Sequence, residues 1–260
     1  MTLCRFYSLR LGRSIADMRF SCLVDRLAGR LALRMSRKTT VVLLLCLFMS
    51  LYAMLSLVSK HFLQHDPWYK HPAPCVTPKY IMDEMVMMTF AVSNILTKLN
   101  ISHALCYGTL WGALRYGRTL PWDNNVNFCV LKTEIQKVSW EWLQETFQAN
   151  HMGVTYNLRQ GEYLISRGPA QAVITVFYQS HSEARLDGLG HKLLGFFYKH
   201  PVSFPSRLLK APFSKIVFHG KAMPIPHEDV QILKHLYPED WWLEKPPPGC
   251  SSVQAHSSLG

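Results

Sequence analysis

Between Tyr107 and Phe128 the chain reads YGTLWGALRYGRTLPWDNNVNF. Glycines, an arginine, a Pro-Trp-Asp corner and then alternating polar and apolar residues have the grammar of a catalytic element. In a strand, residues two apart project from one face, and the polar alternates here are Asn125 and Asn127. A metal-dependent transfer would want acids at these two positions, because an asparagine oxygen can ligate a cation but supplies no charge. The segment therefore reads as an active site or as the remains of one. A local reading stands beside these: Asp123-Asn124-Asn125 is also the composition of a tight connection into a strand, since Asp and Asn favour turns.

The elements that must position these residues follow from pattern. Thr77-Pro78 reads as an N-cap followed by proline at the first helical position. Ile81, Met85, Met88, Val92, Ile95 and Leu99 recur at steps of three and four, predicting an amphipathic helix over 78–99. SHALCYG reads as a strand ending in Gly108, TLWGALRYG as a short helix stopped by Gly117, and NVNFCVL as a second strand. A helix is expected from Thr133 to Ala149, a hairpin over 154–167 around Gln160-Gly161, a buried strand over 172–178, and a small helix after Pro226 through His235. Helices interleaved with strands, with no internal repeat, imply an α+β domain with a mixed sheet.

The formal charge of +11 on 260 residues looks like a nucleic-acid or membrane signal. It is unevenly spread. Residues 1–38 hold nine basic side chains (Arg5, Arg10, Arg13, Arg19, Arg26, Arg30, Arg34, Arg37 and Lys38) against Asp17 and Asp25, which leaves 19 basic and 15 acidic residues elsewhere. The main domain is therefore unremarkable in charge, and a nucleic-acid partner is not expected. Val41 to Val58 is an uncharged run of 18 residues, and with Thr39 and Thr40 it reaches the roughly 20 needed to span a bilayer. Arg37 and Lys38 precede it and Lys60 alone follows closely, so the positive-inside rule places 1–38 in the cytosol and the rest in a lumen or outside. A cleaved signal peptide would have a shorter apolar stretch and a small-x-small site. A chain opening at Met35 would look like an ordinary anchor, which marks 1–34 as an optional extension whose arginines can lie on the cytosolic leaflet. Residues 59–77 read as a proline-rich stalk. Cys75, Cys106, Cys129 and Cys250 fall on the lumenal side, where disulfides are permitted. Cys75 and Cys250 bracket the domain and could clip its ends, although pairing is not readable from sequence. Asn100-Ile101-Ser102 is the one glycosylation sequon. All 12 histidines are lumenal; His61, His65 and His71 sit in the stalk with no acid or thiol at metal-site spacing except Cys75, so no metal site is assigned there.

At Tyr107, Gly108, Thr109, Leu110, Gly112, Ala113, Arg115, Gly117, Pro121, Trp122 and Asp123 the sequence resembles the LicD family, which includes fukutin and fukutin-related protein. Upstream LTKLNISHAL and downstream 204–241 look like further parts of the family pattern, so that the resemblance covers about 78–246. It implies a nucleotidyltransferase-like fold and transfer of a phosphorylated group, such as phosphocholine or ribitol phosphate, from a CDP-activated donor to a glycan. By this resemblance the backbone at Gly108 and Thr109, next to a helix N-terminus, meets phosphate oxygens, and Arg115 and Arg118 offset their charge. Asp123 matches the first, supporting acid. The two metal-binding acids fall at Asn125 and Asn127. The later Ile-Asp-Ile-Phe strand is Ile174-Thr175-Val176-Phe177 here, which puts Thr175 where a third acid belongs. Metal stabilisation of phosphoryl transfer is worth several kcal/mol, and losing about 4–5 kcal/mol slows turnover by roughly 10³–10⁴. Asp187 and Glu183 are acids nearby in sequence, read as surface loop residues rather than replacements.

The sequence thus predicts an α+β, nucleotidyltransferase-like mixed sheet with flanking helices, preceded by a single transmembrane helix. The expected divisions are a basic cytosolic tail (1–38), an anchor (39–58), a stalk (59–77), a lumenal LicD/fukutin-like domain (78–246) and a disordered tail (247–260). The expected function is a type II membrane protein of the Golgi or endoplasmic reticulum with impaired catalysis, which binds a CDP-activated small molecule or scaffolds glycan-modifying enzymes. The alternative is an active phosphotransferase, and Mg²⁺ is a cofactor only in that case. A third possibility is a purely structural membrane protein that binds no nucleotide.

Overall fold

The computed structural model describes residues 37–63, 73–194 and 202–251. The readings of the basic segment 1–36, of 64–72 in the stalk and of 252–260 in the tail lie outside the described residues. The chain divides into two units, 1–57 and 58–260.

Helix α1 runs Arg37–Leu63. Arg37–Leu57 is long and apolar enough to cross a membrane, with a mean hydropathy of 2.3 and none of that window buried. The helix runs on to Leu63, five residues into the expected stalk.

In the second unit, α2 (Lys79–Lys98) buries Met82, Met85, Met88, Val92, Ile95 and Leu96 along one stripe; of the residues read from spacing, Met85, Met88, Val92 and Ile95 are buried, while Ile81 and Leu99 are half-buried at its margins. Its start differs from expectation. Pro78 is the N-cap, without a side-chain cap, because the Thr77 hydroxyl instead donates to the Asp123 carbonyl at 2.6 Å. Strand β1 (His103–Leu105) leads into α3 (Tyr107–Tyr116), then β2 (Val126–Leu131). The single helix expected over 133–149 is two, α4 (Lys132–Ile135) and α5 (Trp140–Gln148). Ser139 restarts the chain as a true N-cap, accepting from the Trp142 amide at 3.2 Å. The hairpin β3 (Gly153–Asn157) and β4 (Glu162–Arg167) and the long β5 (Ala170–Ser180) follow. The chain then forms β6 (Glu183–Leu186), α6 (Leu189–Leu194), β7 (Ser203–Pro205), a separate hairpin β8 (Ser214–Phe218) and β9 (Lys221–Ile225), and α7 (Gln231–Leu236).

The main sheet has the order β1-β2-β5-β4-β3, with β6 on β5 and β7 on β6. Only β2 and β5 pair in parallel and the other pairs are antiparallel, so the sheet is mixed and flanked by helices. Every residue of β2 is buried, as are 172–177 of β5. That is the near-continuous apolar pattern of central strands covered on both faces. A disulfide joins Cys75 to Cys250, so the first residues of the expected tail are covalently held. A second, which no spacing suggested, joins Cys106 to Cys129.

Candidate functional site

The turn from β1 into α3 carries the first half of the site. Tyr107 is buried with a left-handed φ of 51°, a conformation that costs a non-glycine residue about 1–2 kcal/mol. The helix starts at Tyr107, two residues earlier than a strand ending in Gly108 would allow. Gly108 and Thr109 occupy its first turn, where amide groups have no acceptor within the helix. The Thr109 hydroxyl is used internally, accepting from the Asn127 amide at 3.0 Å, while the Cys106 amide donates to the Asn127 carbonyl at 2.9 Å. These two bonds, with the Cys106–Cys129 disulfide, fasten the start of α3 to β2. Gly112 serves packing: a Cβ there would lie 2.6 Å from the Arg118 carbonyl. Gly117 ends the helix with φ 64°, a left-handed cap that glycine adopts without strain.

The Pro-Trp-Asp corner is buried and tied down. Leu120 donates its amide to Asp123 Oδ2 at 2.9 Å, and Asp123 returns its own amide to Leu120. Thr77 fixes the corner from outside through the Pro121 and Asp123 carbonyls. The Asp123 carboxyl thus closes a turn. Burial pushes its pKa up to about 7, with the Leu120 hydrogen bond opposing, so the one acid retained from the family triplet is only partly ionised at neutral pH.

Asn125 and Asn127 are 7% and 8% exposed. They face each other: Asn125 Nδ2 donates to Asn127 Oδ1 at 2.9 Å. Asn125 Oδ1 is buried and has no hydrogen-bond partner among the described residues. Thr175 lies on the same face of the sheet, its Cα paired with Cys129, and strand geometry sets its Cα about 8 Å from that of Asn127. Beside Thr175, paired with it across β4, stands a residue that the sequence reading missed. Glu162 is a buried carboxylate that accepts from Thr175 Oγ1 at 3.4 Å. Burial first, and then the Glu162 charge, hold the Tyr107 phenol well above its ordinary value, against a hydrogen bond with Thr175. Tyr107, Glu162 and Thr175 thus form a neighbouring polar cluster. Its only sequence signal was register: an acid opening β4, opposite the position of the third acid.

Arg115 and Arg118 are not brought to this face. Both are exposed. Arg115 sits in the last turn of α3, about 10 Å along the axis from Gly108, with its guanidinium 5.3 Å from the Trp111 ring. Asp187 is not the surface loop acid expected, but is buried between Lys132 and Lys192. Glu183 is half-buried and paired with Arg185. Asn100 is exposed in the turn after α2, with φ 57°.

The donor set does not fit Mg²⁺. The cation sheds water reluctantly and is held through carboxylates and substrate phosphates. Here two mutually bonded amides and a hydroxyl stand at the acid positions, and the Asp123 carboxyl is turned into its own loop. What the arrangement offers is neutral: an unpartnered amide oxygen, further amide donors, and the first turn of α3.

Residues 100–228 match the model of the family described as "LicD/FKTN/FKRP, nucleotidyltransferase domain". The chain belongs to the LicD family through this domain, which suggests a nucleotidyl- or phosphotransferase-like function. Among solved structures, the crystal structure of ANT(2")-Ia in complex with adenylyl-2"-tobramycin is similar over 67% of this chain and 90% of that one, at 14% identity and a TM-score of 0.37. No curated protein gives a significant match.

Proposed function

We propose that this chain is a catalytically impaired LicD-family protein, anchored in a secretory-pathway membrane with 59–260 on the lumenal side. It binds a CDP-type ligand without a metal or scaffolds glycan-modifying enzymes. The observation that carries this reading is the Asn125–Asn127 pair. Where an active site would hold two carboxylates and repel a diphosphate until a cation arrived, two amides are bonded to each other. The two amides retain further N–H donors, and the Asn127 backbone amide ties the pair to Thr109 in the first turn of α3. Such a site has lost the charge that recruits Mg²⁺ and keeps polar groups for phosphate oxygens. The two disulfides support the lumenal placement, since such bonds persist in oxidising compartments, and the exposed sequon accords with it.

One observation favours the active alternative. Glu162 puts a carboxylate beside Thr175, one strand from the position of the third acid, where it could partly replace that charge. Titration of CDP into the full-length chain in detergent, with EDTA or with Mg²⁺, separates the readings when paired with a turnover assay on CDP-activated donors. Binding in EDTA without turnover supports the metal-free site. Turnover that EDTA abolishes and Glu162→Gln removes establishes the alternative, and absence of both binding and turnover leaves the scaffold. Protease protection in intact microsomes tests the topology, with digestion of the domain in the absence of detergent as the refuting result.

A further inference from the structure

The opposite face of the sheet carries a pocket. Tyr163 and Val176 are one residue out of phase with Glu162 and Thr175, so their side chains point away from the asparagine pair. They line a pocket of about 340 Å³, at the small end of ligand sites, which run from roughly 300 to 1,000 Å³.

At its edge Asp187 is held by Lys132 at 3.0 Å and Lys192 at 2.5 Å, with side-chain exposures of 6% for the acid and 36% and 38% for the lysines. Two ammonium groups against one carboxylate leave one positive charge uncompensated within this cluster, carried by lysines that the buried acid orients in advance. An ammonium has three donors, so each lysine retains N–H groups for a ligand. Tyr156 and Tyr163 add a tilted ring pair, centroids 4.7 Å apart. Their hydroxyls have no hydrogen-bond partner among the described residues. The wall is rigid. Leu189 and Gly190 donate their amides to the Leu158 and Arg159 carbonyls. The hairpin turn and the start of α6 cross at two glycines so closely that a Cβ on Gly161 would lie 2.4 Å from the Gly188 nitrogen.

We propose that this pocket binds a hexose-sized sugar carrying one anionic group, a carboxylate or a phosphate monoester. The anion meets the uncompensated lysine charge, the sugar hydroxyls meet the two phenols, and the flatter C–H face lies on the tyrosine rings. Because it opens away from Asn125 and Asn127, the site anchors an acidic glycan rather than presenting it for transfer, and it does not depend on nucleotide binding. Glucuronic acid, glucose 6-phosphate and glucose are titrated into the full-length chain in detergent by ligand-observed NMR. At least one of the two acids binds at least tenfold more tightly than glucose, and which one binds identifies the anionic group. Lys192→Gln weakens that binding about tenfold. Tyr156→Phe, which keeps the ring pair, weakens it severalfold at an unchanged melting temperature. Equal affinity for all three sugars, no binding of either acid, or wild-type affinity in Tyr156→Phe overturns the assignment. Competition by CDP would move the sugar to the other face and overturn it as well.

Discussion

Asp123 is the residue on which an active-site reading and a structural reading disagree most sharply, and pH separates them. As a buried turn closure its pKa is raised to about 7 from an ordinary 3.8. Below pH 3.8 the group is protonated both folded and unfolded and contributes no pH dependence. Between 3.8 and 7 the folded chain keeps a proton that the unfolded chain has released, so stability falls as pH rises and the loss is complete above about 7. At 1.36 kcal/mol per pH unit, the interval from pH 4.5 to 7 amounts to about 3 kcal/mol. Asp123→Asn keeps an acceptor for the Leu120 amide and removes the titration. Denaturant midpoints of the detergent-solubilised chain, followed by tryptophan fluorescence from pH 4.5 to 8, give the comparison. The stability difference between variant and wild type shifts toward the variant by about 3 kcal/mol across that range, and the difference cancels the other titrating groups. A difference that does not move with pH refutes the buried, proton-holding carboxyl, and one that moves the opposite way shows an acid held ionised.

Three further outcomes follow from the geometry. Asn125→Asp with Asn127→Asp replaces a 2.9 Å amide pair by two facing carboxyl groups, so the double variant loses about 2 kcal/mol in EDTA and recovers part of it in millimolar Mg²⁺, read as paired melting curves; no recovery means the carboxylates do not converge on a cation. Gly112→Ala drives a methyl into the Arg118 carbonyl and costs about 1–3 kcal/mol, measured by denaturant midpoint, and a wild-type midpoint would show that the 118–120 segment yields. The neutral His219 ring accepts from the Thr119 amide at 3.0 Å, and burial, then Arg118, lower its pKa. That stabilisation is present above about pH 6.5 and is lost as pH falls through the folded value, so the protection factor of the Thr119 amide against hydrogen exchange falls between pH 7 and 5, but not in His219→Gln.

Much of the frame was legible because it rests on period. The Met85, Met88, Val92 and Ile95 stripe and the apolar run 172–177 each specify an element from their own residues. The break between α4 and α5 was hidden because Ile135, Val138, Leu143 and Phe147 stay near helical phase across it, and the Ser139 cap that betrays it was read through. In the site, the substituted positions Asn125, Asn127 and Thr175 could be named from the family pattern, but their arrangement could not. That Asn125 bonds Asn127, and that Asp123 turns into its own loop, depends on side-chain direction within a turn. Glu162 and the Cys106–Cys129 bond depend on the lateral register of β4, β5 and β2, which sets Glu162 beside Thr175 and Thr175 beside Cys129. No local spacing encodes that alignment.

The bond between Cys75 and Cys250 spans 175 residues of chain, enclosing every strand of the main sheet and α2 through α7. Mechanically it is a shunt. Tension applied to the two ends of the polypeptide enters at one cysteine, crosses a single covalent bridge and leaves at the other, and the folded loop between them bears none of it. While that bridge is intact the domain hangs like a locket from a closed clasp, and pulling the chain taut cannot unravel the sheet from either end.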